Sequence, residues 1–139
     1  MDTYDVSEED KNLIEAARLY VAEHFVADQH FVGSAGRTTD GTVLTGINLA
    51  GSPRGIDVCG EPTVLAQTVV KRYGKLETIV AVRYNADGTS YVVAPCGKCR
   101  EMISRYSPDA LVIVPDKTGT LRKVSTEELL PFKYRKTEI

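Results

Sequence analysis

The sequence predicts an α/β domain in which one mixed sheet is covered by helices on its two faces. Three observations carry this: a helix-spaced apolar stripe near the start, an Asp40-Gly41 turn between two extended segments, and two later helices that each begin directly behind an extended stretch. Taken in order, Ser7 followed by Glu8, Glu9 and Asp10 reads as an N-cap with an acidic first turn. Leu13, Ile14, Ala17, Leu19 and Val21 then recur at roughly helical spacing up to His24. Phe31 to Thr38 and Thr42 to Asn48 flank the Thr39-Asp40-Gly41 turn and predict an antiparallel hairpin. Ala50 to Val58 holds Gly51, Pro53 and Gly55 and reads as a loop.

Glu61 to Tyr73, with Val64, Leu65, Val69 and Val70, predicts a helix that stops before Gly74 and tolerates Pro62 in its first turn. Thr78 to Tyr84 reads as a buried strand, Asn85 to Gly88 as a turn, and Ser90 to Ala94 as extended again. Gly97 to Tyr106 predicts a helix stopped by Ser107-Pro108, and Ala110 to Val114 a strand. Leu121 to Val124 follows a turn at Asp116 to Gly119 as a last strand, and Ser125 caps a short helix from Thr126 to Leu130. The polar tail KYRKTEI is expected to project. The resulting order, α-β-β-α-β-α-β-β-α, contains no repeat or linker, so one domain over residues 1–139 is expected.

A formal net charge of −2 provides no basic footprint for a polynucleotide or an anionic membrane, while leaving a single nucleoside open as a partner. No apolar run approaches the roughly 20 residues needed to cross a bilayer, and the acidic start MDTYDVSEED lacks the order of a secretory signal. A cytoplasmic location with reduced thiols is expected. The three cysteines are an odd count, which argues against a closed disulfide framework and for metal or redox work.

Two fragments carry the chemistry: Cys59-Gly60-Glu61 and Pro95-Cys96-Gly97-Lys98-Cys99. Both fall where an extended segment enters a helix, and the positive end of a helix favours thiolates. Cys96 and Cys99 lie on one helical turn and can point to one ion. With Cys59 they make three ligands and leave one open tetrahedral position, the arrangement of catalytic rather than structural zinc. His24 and His30 have no motif spacing to either fragment. Zinc in such a site lowers the pKa of a bound water, and Glu61, close to the metal but not needed as a ligand, is placed to shuttle its proton. The pairing of an H/C-x-E with a P-C-x-x-C is a zinc deaminase signature. A redox protein built on Cys96 and Cys99 leaves Cys59 and Glu61 unexplained, and a purely structural or ligand-binding zinc domain has no use for Glu61.

On these residues the chain resembles the cytidine deaminase family, in its small homotetrameric branch and closest in pattern to blasticidin S deaminase-like members. The resemblance runs through HFVGSAGRTTDGTVLTGINL, DVCGEPTVLAQ, APCGKCREMISRY and EELLPFKY. It implies a three-layer α/β/α fold around a five-stranded mixed sheet, one Zn²⁺ per chain, and a homotetramer with shared active sites. It implies hydrolytic deamination of a cytosine-type nucleoside or analogue, such as cytidine, a modified cytidine or blasticidin S, with water attacking C4 and ammonia leaving. Another amino-heterocycle is the alternative substrate. By the same resemblance Cys59, Cys96 and Cys99 are the zinc ligands and Glu61 the proton shuttle. Phe31, Asn48, Gly60 and Tyr134 fall at substrate-binding positions, Tyr134 in a neighbouring subunit's pocket.

The sequence departs from the family in two places. Cytidine deaminases read N-x-E where this chain has Asn48-Leu49-Ala50, so a carboxylate that would accept a ribose hydroxyl is absent and little gain from that hydroxyl is expected. The loop after it holds Arg54, a candidate anchor for an anionic substituent. Pro62 stands where those enzymes carry an arginine that offsets thiolate charge, which makes Arg100, with Lys98 as the other candidate, the expected charge-balancing residue.

Overall fold

The computed structural model describes residues 1–53, 55–72 and 74–136. Arg54 and the end of the tail therefore lie outside the described residues. Seven strands form one mixed sheet: β1 (Thr3–Asp5), β2 (Val32–Thr38), β3 (Val43–Ile47), β4 (Leu76–Tyr84), β5 (Ser90–Val93), β6 (Leu111–Pro115) and β7 (Leu121–Ser125). Four helices accompany them: α1 (Glu8–His24), α2 (Gly60–Val70), α3 (Gly97–Tyr106) and α4 (Thr126–Leu129). The strand order is β1-β7-β6-β4-β2-β3, with β5 paired to β4.

Strand β4 organises the molecule. One edge pairs antiparallel with β2 throughout; the other is divided, with Thr78 and Ile79 parallel to β6 and Ala81 to Tyr84 antiparallel to β5. Its side chains alternate between two cores, as the pleat requires. Val80 and Val82 join Leu13 and Ala17 of α1, whereas Ile79 joins Val64 and Leu65 of α2 and Ile103 of α3. Burial on both faces explains why the strand reads as a continuous apolar run.

The first turn of α1 is locked by the expected cap: Ser7 Oγ accepts the Asp10 N–H, and Asp10 returns the bond by accepting the Ser7 N–H. Asp10 is fully buried, and it also meets Lys123 of β7 at 2.7 Å and Arg37 of β2 at 2.9 Å. Burial alone would raise its pKa, but Lys123, the Ser7 N–H and Arg37 hold it well below the usual carboxylate range.

The α/β class expected from the sequence is the observed one, with seven strands in place of five. The two additions are β5, a hairpin partner, and β1, whose three residues Thr-Tyr-Asp have too little apolar pattern to announce a strand. Helix α2 ends at Val70 rather than Tyr73, because Lys71 closes on the Gln67 carbonyl and Arg72 turns the backbone left-handed at φ 56°.

Candidate active site

Helices α2 and α3 begin side by side, and each has a cysteine at its N-cap: Cys59 (φ −69°, ψ 168°) and Cys96 (φ −68°, ψ 170°), neither making a side-chain capping bond. The chain reaches Cys59 through a paired bridge, where Leu49 and Val58 exchange two backbone hydrogen bonds of 2.8 Å. It reaches Cys96 from β5, which the division of β4 lays beside Ala81. The Sγ atoms of Cys59, Cys96 and Cys99 lie within 4.8 Å of one another, with Cys59 and Cys96 3.5 Å apart. Thiolates about 2.3 Å from a tetrahedral metal sit roughly 3.8 Å from each other, so the cluster fits a zinc-sized ion.

The thiols do not ionise easily as a set. Burial pushes Cys59 up, and burial together with the Glu61 charge pushes Cys99 far up. Burial opposes the Cys96 thiolate as well, yet the Cys99 backbone N–H and the neighbouring thiols bring Cys96 below its ordinary value. A bound divalent cation would supply the charge that three clustered thiolates require.

Glu61, on the first turn of α2, is 4% exposed and accepts a 3.3 Å hydrogen bond from Ser34 Oγ on β2. Burial raises its pKa, against the pull of its own backbone N–H, Ser34 and Cys99. The contact needs α2 to start directly on β2. A Cβ at Gly60 would stand 2.7 Å from Ser34 Oγ and would push that hydroxyl off Glu61, so glycine preserves the contact.

An open cavity of about 230 Å³ leads to this cluster. Cys59, Glu61 and Cys96 line it together with Phe31, Val32, Asn48, Ala81 and Val93, and its rim includes Leu49, Ala50, Asp57 and Val58. Asn48 is buried and largely committed to the backbone. Its Oδ1 accepts the Phe31 and Val32 N–H groups at 2.7 and 3.0 Å, and Nδ2 donates to the Gln29 carbonyl at 3.3 Å, leaving one N–H. The Arg83 guanidinium lies 4.5 Å from the centre of the Phe31 ring.

Tyr134 is not among the residues lining the cavity. It is 81% exposed, on a tail fastened to α3 by Lys133, whose Nζ reaches Ser104 Oγ at 3.0 Å and Glu101 at 3.2 Å. The Arg100 guanidinium donates to the carbonyls of Pro95 (2.8 Å) and Leu129 (3.3 Å), tying the start of α3 to the end of α4. Lys98 is exposed. Pro62 faces away from the cavity, against Leu65, Val69, Met102 and Tyr106 on an outer apolar surface. Sequence reasoning missed Ser34, which its strand, VGSAGRT, does not single out because Arg37 and Thr38 are polar as well.

No family model matches the chain. It is 35% identical over 138 residues to blasticidin-S deaminase of Bacillus cereus, covering 96% of this chain and 98% of that protein. The chain belongs to the cytidine deaminase family. A cytidine deaminase of Halalkalibacterium halodurans is 33% identical over 105 residues, 74% of this chain and 76% of the relative. The crystal structure of cytidine deaminase from Burkholderia pseudomallei superposes with a TM-score of 0.72 at 28% identity, covering 89% of this chain and 98% of that one.

Proposed function

We propose that this chain is a zinc-dependent hydrolase that deaminates a cytosine-type nucleoside or nucleoside analogue. The observation that carries it is a buried carboxylate, Glu61, on the same cavity wall as Cys59 and Cys96, with Cys99 completing the cluster. The three thiolates would hold one zinc ion, which supplies a water activated as a nucleophile near neutral pH. Glu61 takes the water's two protons in turn, passing the first to the ring nitrogen and the second, from the hydroxyl left on C4, to the leaving amine. Oxygen is left on C4 as the carbonyl, and ammonia departs. Phe31, Asn48 and Gly60 shape the substrate side of the site.

The test is a panel of cytidine, deoxycytidine, cytosine and blasticidin S, followed by loss of the aminopyrimidine ultraviolet band and by metal content. Turnover of at least one, with close to one zinc per chain, is expected. A metal-free protein of full activity, or release of ammonia from none of the panel, overturns the reading.

The working form is a single domain that assembles as a homotetramer, with Tyr134 completing a neighbour's cavity. Support comes from the surface: Tyr134 and the fully exposed Phe132 stand off the tail, and Val69 and Val70 of α2 are largely exposed beside an apolar hollow. A chain truncated after Leu130 should keep its zinc and bind substrate poorly, and light scattering on a stable, active monomer would contradict the assembly. No helix among the described residues is long and apolar enough to cross a membrane, and three free thiols suit a reducing cytoplasm.

A further inference from the structure

We infer that Asp57 is the specificity-determining residue of this site, accepting a hydrogen bond or a positive charge from the substituent that the substrate carries away from its reacting carbon. The inference rests on the deaminase reading above. It begins with the bridge between Leu49 and Val58. In an antiparallel pair the next residues outward stand opposite each other on one face, and here these are Ala50 and Asp57. Both line the cavity. Ala50 offers no polar side-chain atom, so the carboxylate on this ribbon comes from position 57.

The Asp57 side chain is held in place as well as displayed. Its Oδ1 accepts the Gly51 N–H at 3.3 Å, which draws the carboxylate across the mouth of the loop, and among the described residues this is its one hydrogen bond. Oδ2 is left to accept from a ligand. Glu61 is the other carboxylate lining the cavity, and it is buried against Ser34, whereas Asp57 is exposed. The polar pattern is therefore divided: Glu61 and the thiols at the reacting end, Asp57 with the remaining Asn48 N–H toward the rim. A substituent matched to the Asp57 carboxylate bears hydrogen-bond donors or a positive charge. Sugar hydroxyls and an ammonium group are two sources of the same chemistry.

Two matched pairs separate these sources. Cytidine against 2′,3′-dideoxycytidine removes ring hydroxyls, and 1-(3-aminopropyl)cytosine against 1-propylcytosine removes the ammonium. Each is measured as kcat/KM, or as an inhibition constant where turnover is absent, for wild type, Asp57→Asn and Asp57→Ala, with zinc content alongside. Wild type should prefer the donor-bearing member of at least one pair, and Asp57→Ala should reduce that preference about 10- to 150-fold, the worth of one hydrogen bond to a charged acceptor. Asp57→Asn should fall between. The pair that responds identifies the donor as hydroxyl or ammonium. An unchanged preference in both pairs overturns the inference, and so does a uniform loss across all four compounds in both variants. Each of those outcomes leaves the deaminase reading intact, because that reading is decided by ammonia release from the panel of cytidine, deoxycytidine, cytosine and blasticidin S. A wild type that neither turns over nor is inhibited by any of the four compounds overturns the inference alone.

Discussion

Cys59, Glu61, Cys96 and Cys99 sit in the first turns of two helices that pack on a buried sheet, whereas Ala50 and Asp57 belong to the two sides of a loop that leaves the sheet and returns to it. The reacting end is fixed by elements whose other faces belong to the core, including Leu65 of α2 and Ile103 of α3. Among the described residues the rim is fixed by the Leu49–Val58 bridge, by the Ala50 N–H on the Gln29 carbonyl at 3.1 Å and by the Gly51 N–H on Asp57. A cavity built this way holds its chemistry constant while its selectivity is free to vary, because changes in the loop meet few neighbours.

The largest test of this division is Cys99→Ser. Cys99 is buried, and its loss should abolish metal binding and activity together. Chelating the metal from wild type should likewise lower the melting temperature. Full activity of the serine variant would mean that the thiol cluster is not the reacting end. Glu61→Gln should cost about 10²- to 10⁴-fold in kcat with unchanged metal content; activity within a few-fold of wild type would remove Glu61 from proton transfer.

Ser34→Ala should cost less, about 10-fold, the low end for one hydrogen bond to a charged acceptor, since the contact is a long 3.3 Å. It also has a direction in pH. The Ser34 hydroxyl stabilises the charged Glu61, so its removal raises the Glu61 pKa further, and the acid limb of the kcat/KM profile should move to higher pH. A limb that stays in place would show that Ser34 only fills space. Ala50→Glu should have the smallest effect on the chemical step. It sets a second carboxylate opposite Asp57, changing selectivity between substrates by a few-fold while moving stability by no more than about 0.5 kcal/mol, as read by thermal unfolding. A loss as large as that of Glu61→Gln would erase the distinction between the two ends.

The same distinction marks what could be read from residues alone. Helix α3 was legible to its boundaries because Pro95 precedes it and Ser107-Pro108 follows it, and both cysteine fragments were legible because their spacing is local. The Ser34–Glu61 contact was not, since it depends on α2 landing on β2, which no local pattern states. Asp57 gained its place opposite Ala50 only through the Leu49–Val58 bridge. The position of Arg100 beside Cys99 is local and legible, whereas its bond to the Leu129 carbonyl depends on where the C-terminal helix packs. Strand β1 was invisible for the same reason, because its pairing partner lies near the far end of the chain.

That last pairing bears on the order in which the protein can be assembled as it is synthesised. Strand β1 has β7 as its strand partner, and Arg122 bonds Asp5 from 117 positions away. Asp10, buried in the first turn of α1, draws one of its two cations from Lys123. A nascent chain that has not yet emerged past β7 therefore holds an edge segment with nothing to pair and a carboxylate with half its compensation. Strand β1 and the first turn of α1 complete their contacts only once β7 is available.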